Sequence, residues 1–591
     1  MAIGPSSGAA GDANERFRAY LADDWRQWMV EVPEIATVVG FPGQNDRWTD
    51  DSPEGIAQRK LHLTTSTARL GEFRAESLGP SERTNFHLYR RLLDLAAIGV
   101  GFGDDPMPYH FGWPHSLWMP LNQMDGLHLS AGQLFPIAPR STVADVEAIV
   151  ARMKGLPAAV EQNHRLLEEG RRAGMMPSRA GIRGLPDQVA SLVPEDPTQS
   201  AIFEPFKNLG PGVPDAEQRR LTEEARRAYA EGVRPAFVRL HEYLVRDYVP
   251  AARETVGLSA LPNGRAMYEH HVRWTTTTEL TPEQIHEIGL REVRRVRAEM
   301  EALIQSTGFP GSFGEFYRFL RTDVRFHASS AGDLLDRFRV VAKRIDPELA
   351  PHFGRLPRLP YGVAAIPDFS APSSPGAYYQ PGAPESGRAG MFYANTYDLP
   401  SRQTWRMEAL TLHEAVPGHH LQIALAAELE NVPEFRKHSG ETAFVEGWGL
   451  YAESLGSELG LYQDPYSRFG SLDFDMWRSI RLVVDTGMHA LGWSRERAID
   501  FFRENTGMAD LDVQVEVDRY IVIPGQALAY KIGQLKIREL RTLAERALGP
   551  AFDERAFHDV VLLSGAVPLG ELEAHVRAWI DRRGRSAEPG R

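Results

Sequence analysis

The chain has 591 residues, of which 25% are charged and 42% hydrophobic, a balance typical of a globular protein with a sizeable core. Its formal net charge of −13 at pH 7 argues against nucleic acid as a partner. Cysteine is absent, which excludes disulfides and thiolate chemistry, so any metal site must be built from histidine and carboxylate groups. No segment is apolar enough to span a membrane and the first residues do not resemble a secretory signal, so we expect a cytoplasmic protein without a membrane partner.

In chain order, the spacing of apolar residues predicts helices along most of the sequence. Residues 1–14 are rich in glycine, alanine and serine and are expected to be disordered. The longest predicted helices cover 143–170, 214–249 and 281–308, and the last begins with a Thr-Pro pair, a capping residue followed by proline at the first helical position. Frequent proline, glycine and aromatic residues interrupt the helical pattern over 356–400, and it resumes afterwards.

We therefore predict a mainly α-helical protein. Residues 15–583 are expected to form a single large body with two lobes around a deep cleft, followed by a polar tail at 584–591. No fixed-period repeat and no shift in composition marks a further domain boundary.

A short stretch at the end of one predicted helix carries His413, Glu414, His419 and His420. A His-Glu pair in this position, followed by further histidines one or two turns later, is the pattern of a zinc peptidase. In such a site the histidines bind the metal and the glutamate is the general base. The alternative interpretation is a helix end with surface histidines.

The match to the H-E-x-x-H pattern is imperfect because Pro417 stands four residues after His413. In a straight helix His420 would lie about 10.5 Å from His413 along the axis, whereas zinc requires its nitrogen ligands at about 2.0–2.1 Å. Pro417 and Gly418 are expected to distort the helix, so we predict extra residues bulged out of this turn. Either His419 or His420 is then the second histidine ligand, and we favour His420 because seven residues bring it back to the face of His413.

Residues 413–422, His-Glu-Ala-Val-Pro-Gly-His-His-Leu-Gln, resemble the signature of a bacterial family known as domain of unknown function 885. That family is similar to the helical gluzincin peptidases, such as thimet oligopeptidase and angiotensin-converting enzyme. In those enzymes the third zinc ligand is a glutamate on a following helix. The matching segment here is 443–453, which gives that role to Glu446. The resemblance, strongest over about 378–533, implies a metallopeptidase-like fold with a zinc site spanning 413–446.

The same resemblance implies a small β-sheet beside the zinc helix, with an edge strand that pairs with the substrate backbone. The strand-like residues at 390–396 match this element. Gly390, Phe392, Tyr393 and Asn395 are therefore expected to bind substrate, chiefly through backbone hydrogen bonds that tolerate many sequences. The alternative is a structural β-hairpin with no ligand role.

Residues 517–533 resemble a late segment of the oligopeptidases whose tyrosine helps to bind the reacting oxyanion. Tyr530 is the first candidate for this role and Tyr520 the second, while Arg519 could bind a substrate carboxylate bidentately. The alternative is that the tyrosines are buried with bonded hydroxyl groups and that the arginine belongs to a structural ion pair.

Four further residues are open to more than one interpretation. Glu453 lies seven residues after Glu446, on the same face of a helix, and either orients a ligand histidine or is solvated. Glu441 is a fallback for the third ligand. The adjacent His270 and His271 are expected to be structural or on the surface.

These patterns predict a zinc-dependent hydrolase that cleaves peptide or amide bonds of short peptides. Glu414 is expected to be the general base and a zinc-bound water the nucleophile. Two alternatives stay open: a zinc enzyme acting on a non-peptide amide or a specialised metabolite, and a catalytically inactive binding protein of the same fold.

Overall fold

The computed structural model describes residues 7–110, 112–367, 371, 375–382, 388–438 and 440–587. The protein is mainly helical, as predicted, with one small sheet. The α-helices before the sheet are α1 (Ser7–Glu31), α2 (Pro33–Val39), α3 (Pro53–Leu70), α4 (Pro80–Val100), α5 (Leu127–Ile137), α6 (Val143–Arg172), α7 (Arg179–Ile182), α8 (Leu185–Ser191), α9 (Asp215–Ala228), α10 (Arg234–Tyr243), α11 (Val249–Ala251), α12 (Gly264–Thr276), α13 (Pro282–Ser306), α14 (Phe313–Thr322), α15 (Ala331–Ile345) and α16 (Leu349–His352). Those after it are α17 (Met407–Glu414), α18 (His419–Ala427), α19 (Glu434–His438), α20 (Thr442–Ser454), α21 (Pro465–His489), α22 (Arg495–Asn505), α23 (Asp510–Val522), α24 (Gln526–Leu548), α25 (Glu554–Leu562) and α26 (Leu569–Ala587).

The long helices begin where their capping residues stand. Thr142 and Asp145 form a capping box at the start of α6, and Thr281 and Gln284 form one at the start of α13. The helices predicted at 143–170 and 281–308 are thereby confirmed within two residues at each end. The prediction over 214–249 corresponds to α9, α10 and the start of α11, joined by two π-helical segments.

The ends of the chain differ from the prediction. Helix α1 begins at Ser7, so residues 7–14, which were expected to be disordered, are helical. This segment is held in place because Ala13 is buried in the core and the Asn14 side chain accepts a hydrogen bond from the Gly79 N–H at 3.0 Å. Helix α26 likewise runs into the predicted polar tail as far as Ala587. The remaining parts of both predicted segments, 1–6 and 588–591, lie outside the described residues.

The sheet has three strands, β1 (Tyr361–Ala365), β2 (Ala377–Gln380) and β3 (Gly390–Ala394), in the order β1-β3-β2. Strand β3 pairs with β1 in parallel and with β2 antiparallel. It is therefore the central strand, and the prediction that 390–396 forms an edge strand was wrong. The backbone groups of β3 bond to its two neighbours, and the open edges of the described sheet belong to β1 and β2.

The apolar core places the helices that matter for the site against one another. The largest cluster of buried side chains joins α1, α3 and α4 to α20 and α24–α26. Helices α20 and α24 touch through their backbones, since a Cβ atom on Gly447 would lie 2.5 Å from the Cα of Gly533. None of the helices in the described ranges has the length and apolar character that a membrane crossing requires.

Candidate metal centre

The chemistry-bearing stretch is a helix interrupted by a tight turn. Helix α17 ends at Glu414 and α18 begins at His419, and the Val416–Pro417 peptide bond between them is cis. Gly418 is required in this turn, because a Cβ atom there would lie 2.0 Å from the carbonyl oxygen of His413. The sequence prediction of a distorted helix at Pro417 and Gly418 agrees with this geometry.

His413, His419 and Glu446 converge where this turn faces α20. Their nearest nitrogen and carboxylate oxygen atoms all lie within 4.8 Å of one another. Glu446 Oε2 is 3.5 Å from the Nε2 atom of His413 and 3.5 Å from that of His419. The two imidazole rings are nearly perpendicular, with their centroids 4.6 Å apart. Three potential ligand atoms therefore surround one point.

The cluster fits a metal ion by an unsatisfied carboxylate oxygen and by its ligand types. Glu446 Oε2 is buried and forms no hydrogen bond with the residues that the structure describes. A buried carboxylate oxygen without a donor is costly, and a cation satisfies it. Two imidazoles and one glutamate are also the protein ligands of a catalytic zinc site that keeps a further position open.

The electrostatics of the cluster favour positive charge. Burial by itself would lower the pKa of His413, but Glu446 and Glu453 raise that pKa to about 10. Burial also opposes ionisation of Glu446, yet the two histidines hold its pKa well below the ordinary value. Glu446 is therefore ionised, as a metal ligand must be, and the carboxylates around His413 attract a cation.

Glu453 orients the first histidine. Its Oε1 atom lies 2.8 Å from Nδ1 of His413, which leaves Nε2 directed to the cluster. Arg478 in turn places Nη2 at 3.5 Å from the same carboxylate oxygen. A carboxylate bonded to the second ring nitrogen fixes the tautomer and the orientation of a metal-binding histidine. The structure thus places Glu453 in the orienting position and not in solvent.

Glu414 lies beside the cluster without belonging to it. The side chain is buried at the end of α17, and its carboxylate is outside the group of converging ligand atoms. It forms no hydrogen bond or ion pair with the described part of the chain. A carboxylate in this situation is available to accept a proton from a bound molecule.

His420 does not reach the cluster, and the structure corrects the preference for it as a ligand. Its Nδ1 atom is 2.9 Å from the hydroxyl of Tyr379 on β2, and its ring packs against Tyr361 at 4.6 Å. The preference assumed that the direction of a side chain after seven residues follows from a straight helix. The turn resets this direction, so that the first residue of α18, His419, faces His413.

Two residues of α20 that sequence reasoning missed shape the centre. The indole N–H of Trp448 donates to the carbonyl of Pro417 at 2.7 Å and so holds the turn. A Cβ atom on Gly449 would lie 2.7 Å from Cε1 of His413, so α20 can approach this imidazole only because the residue is glycine. The available signal was the pair Gly447 and Gly449 inside a helix, where glycine is unfavourable without such a reason.

The two candidate tyrosines have different surroundings. The Tyr530 hydroxyl accepts a hydrogen bond from Nη2 of Arg519 at 3.3 Å, and its own hydrogen has no acceptor among the residues that the structure describes. The Tyr520 hydroxyl is buried, donates to Glu516 at 2.6 Å and accepts from Trp477 and Arg481. Tyr520 therefore matches the structural alternative, whereas Tyr530 can still donate.

Three of the residues predicted to bind substrate on and beside β3 have their side chains packed against or bonded to other parts of the protein. Phe392 is buried against Phe338, with ring centroids 5.1 Å apart. Asn395 is buried and its side-chain amide donates to two backbone carbonyls, at 2.8 and 3.0 Å. Tyr393 stacks on Tyr378 of β2. Gly390 packs against His420, because a Cβ atom there would lie 2.9 Å from Nδ1 of that ring.

The remaining candidates lie outside the cluster. Glu441 is paired with Arg91, whose Nη1 is 3.1 Å from both carboxylate oxygens, so it is not a ligand. His270 and His271 are buried and so are not on the surface, and His271 is among the residues that line a cavity of about 260 Å³.

Fold and site together define a mainly helical protein with a histidine–glutamate cluster at a broken helix. The chain belongs to the family described as bacterial protein of unknown function (DUF885), whose family model matches residues 33–576. A search of the curated proteins gave no match.

Two solved structures share the fold. A putative lipoprotein from Colwellia psychrerythraea is 27% identical, with a TM-score of 0.88 and coverage of 96% of this chain and 99% of that one. A putative lipoprotein of unknown function from Shewanella oneidensis is 16% identical, with a TM-score of 0.72 and coverage of 94% and 99%. The name of the first neighbour, a putative lipoprotein, contradicts the expected cytoplasmic location. That expectation was drawn from composition and hydropathy, and neither fixes the compartment in which a globular protein resides.

Proposed function

We propose that the protein is a zinc-dependent hydrolase of peptide or amide bonds. The observation that carries the proposal is the convergence of His413, His419 and Glu446 within 4.8 Å. Glu414 lies beside them with no hydrogen-bond or ion-pair partner among the described residues. His413, His419 and Glu446 would hold the ion, and Glu414 would be the general base. The similarity of the signature to that of helical gluzincin peptidases supports the same assignment.

A bound zinc ion supplies Lewis acidity and lowers the pKa of water. Glu414 accepts a proton from the attacking water and returns it to the leaving amine. Glu453 keeps the His413 ring in the orientation that directs Nε2 into the cluster. Tyr530 donates its free O–H to the developing oxyanion, where a preorganised donor acts mainly on the transition state.

We place the substrate in a cleft between two helical lobes. A cavity of about 260 Å³, lined by His115, Arg253 and Pro524 among others, would form part of this cleft, and the proposed metal ligands lie outside its lining. The loop beside this cavity contacts the helix that carries Glu446, since the Thr442 hydroxyl donates to the carbonyl of Gly112 at 3.4 Å. Thr442 lies one helical turn before Glu446 on α20.

The test is digestion of a peptide library by the full-length protein, with and without a chelator, read by mass spectrometry. Glu414→Gln keeps the shape of the side chain but removes the base, so it should retain metal and lose turnover by about 10²-fold or more. Metal content is measured separately, on protein purified without added zinc. Chelator-insensitive cleavage, or near-normal turnover by Glu414→Gln, would rule the mechanism out.

A parallel digest of simple non-peptide amides separates the substrate classes. Cleavage of these amides alone would move the protein to the class of zinc amidases acting on small molecules. Stoichiometric metal without hydrolysis of either set would instead identify a metal-binding protein without this activity.

A further inference from the structure

Two guanidinium groups flank Tyr530, the proposed oxyanion donor. The guanidinium carbon of Arg481, on α21, lies 4.5 Å from the centre of the Tyr530 ring. Arg519, on α23, donates to the Tyr530 hydroxyl and to the side-chain oxygen of Gln526, at 3.3 and 3.0 Å. The two arginines thus bring two positive charges to one side of α24.

Only one acid among the described residues contacts these two cations. Glu516 accepts a hydrogen bond from Nη2 of Arg481 at 3.1 Å, and its other oxygen is 3.7 Å from Nη1 of Arg519. The other side chains that bond to the two arginines, Tyr520, Gln526 and Tyr530, are neutral. The group therefore carries one positive charge more than its own residues balance.

The group also lacks a hydrogen-bond acceptor. The Arg481 side chain is only 3% exposed, so solvent does not satisfy it. Its Nη1 atom is buried and forms no hydrogen bond with the described residues. The Arg519 side chain is 24% exposed and gives the group a route to solvent. An unpartnered buried guanidinium N–H is costly, and a carboxylate supplies both the missing acceptor and the missing charge.

Helix α21 connects Arg481 to the residues behind the metal centre. Arg481 follows Arg478 by three residues on the same helix face, a rise of about 4.5 Å. The guanidinium groups of Arg478 and Arg481 both lie over the ring of Trp477, and each guanidinium carbon is 4.6 Å from the ring centroid. Arg478 contacts Glu453, which bonds to His413. Arg481 therefore lies about one helical turn from Arg478, and Arg478 contacts the carboxylate of Glu453 that orients His413.

We propose that Arg481 and Arg519 form a carboxylate-binding subsite and that the substrate carries a free carboxylate close to the bond that is cleaved. The carboxylate is either the C-terminal one of a short peptide or an acidic side chain. A substrate held in this way by its C-terminus is cleaved near that end and not in the middle of a long chain. The inference rests on the proposed hydrolase function, but the subsite can be tested without turnover.

The test measures binding to the full-length Glu414→Gln protein. The probes are N-acetylated tetrapeptide libraries made either with a free C-terminal carboxylate or as C-terminal amides, and retained peptides are quantified by mass spectrometry. Free acids should be retained at least about 10-fold better than neutral amides, as expected for charge-assisted hydrogen bonds. Preferential retention of amides that contain Asp or Glu would support the subsite and assign the carboxylate to a side chain. Equal retention of acidic and neutral probes, or of neither, would overturn the proposal.

Substitutions identify the residues responsible. Arg519→Gln should lose the preference for acids about 10-fold, and Arg519→Lys should keep part of it because lysine retains the charge but not the planar fork. Arg183→Gln is the matched control, since Arg183 pairs with Asp518, the neighbour of Arg519, and should leave the preference intact. Arg481→Met tests the buried member, with folding checked by circular dichroism.

An undiminished preference for acids in folded Arg519→Gln would overturn the subsite. The readout does not require turnover. Loss of hydrolysis with an intact preference for acids would therefore count against the hydrolase function alone.

Discussion

Glu453 Oε1 lies 2.8 Å from Nδ1 of His413, while Nε2 of the same ring faces Glu446 at 3.5 Å. The imidazole is thus held between two carboxylates of one helix, α20. Because Arg478 approaches the same Glu453 oxygen at 3.5 Å, the orienting carboxylate is itself fixed by a positive charge. The orientation of a proposed ligand therefore depends on a side chain outside the ligand cluster.

Glu453→Gln should weaken zinc binding about 10- to 100-fold, because the amide can still accept from Nδ1–H but no longer supplies negative charge to the ring. The measurement is competition with a chromogenic chelator. Glu441→Gln is the control on the same segment, since Glu441 is paired with Arg91 and lies outside the cluster. Equal zinc affinity of the two variants would mean that Glu453 has no role in the metal site.

His419→Ala and His420→Ala form a pair of adjacent substitutions with opposite expected results. Loss of His419 removes one of three proposed ligands and should abolish stoichiometric zinc. Loss of His420 removes the bond to Tyr379 on β2 and should leave the zinc content near one per chain. Metal content by mass spectrometry of the purified variants decides between them, and zinc loss confined to His420→Ala would reverse the assignment.

Tyr530→Phe and Tyr520→Phe should affect different properties, the first turnover and the second stability. Removal of the free Tyr530 donor is expected to lower turnover about 10- to 10³-fold with little change in substrate affinity. Removal of the Tyr520 hydroxyl leaves the buried Arg481 and the partly buried Glu516 with one partner fewer, so it should lower the free energy of unfolding by about 1–3 kcal/mol. Steady-state kinetics and urea unfolding on both variants make the comparison. If Tyr520→Phe loses turnover and Tyr530→Phe keeps the turnover of the wild type, the roles of the two tyrosines must be exchanged.

Local signals in the sequence were enough to predict the long helices. Periodicity and capping residues are properties of neighbouring residues, and they placed α6 and α13 closely. His413 and Glu414 were singled out by residue type and spacing in a cysteine-free chain, whereas Glu446 was assigned from the resemblance of 443–453 to the oligopeptidase segment.

The remaining features depend on contacts between distant segments. The choice between His419 and His420 is made by a four-residue turn whose shape no helical period describes. The central position of β3 depends on pairing with β1, whose Tyr361 is the partner of Gly390. The pair of Glu441 with Arg91 joins residues 350 positions apart. Propensity and periodicity carry no information on such contacts.

Asp485 should make stability depend on pH. Burial raises the pKa of Asp485 to about 7, although Tyr268 and the Gly525 N–H donate to it and oppose the shift. The unfolded chain, with the ordinary value of 3.8, has lost this proton where the folded chain still holds it. The contribution to the free energy of unfolding is therefore fully present below about pH 4 and is lost as the pH rises towards 7, at up to about 1.4 kcal/mol per pH unit.

Asp485→Asn imitates the protonated form, so its urea midpoint should fall less than that of the wild type between pH 5 and 7. Asp336→Asn, at a side chain 71% exposed, controls for the removal of one carboxylate. Parallel midpoint curves for the wild type and Asp485→Asn would show that Asp485 is ionised in the folded protein throughout this range.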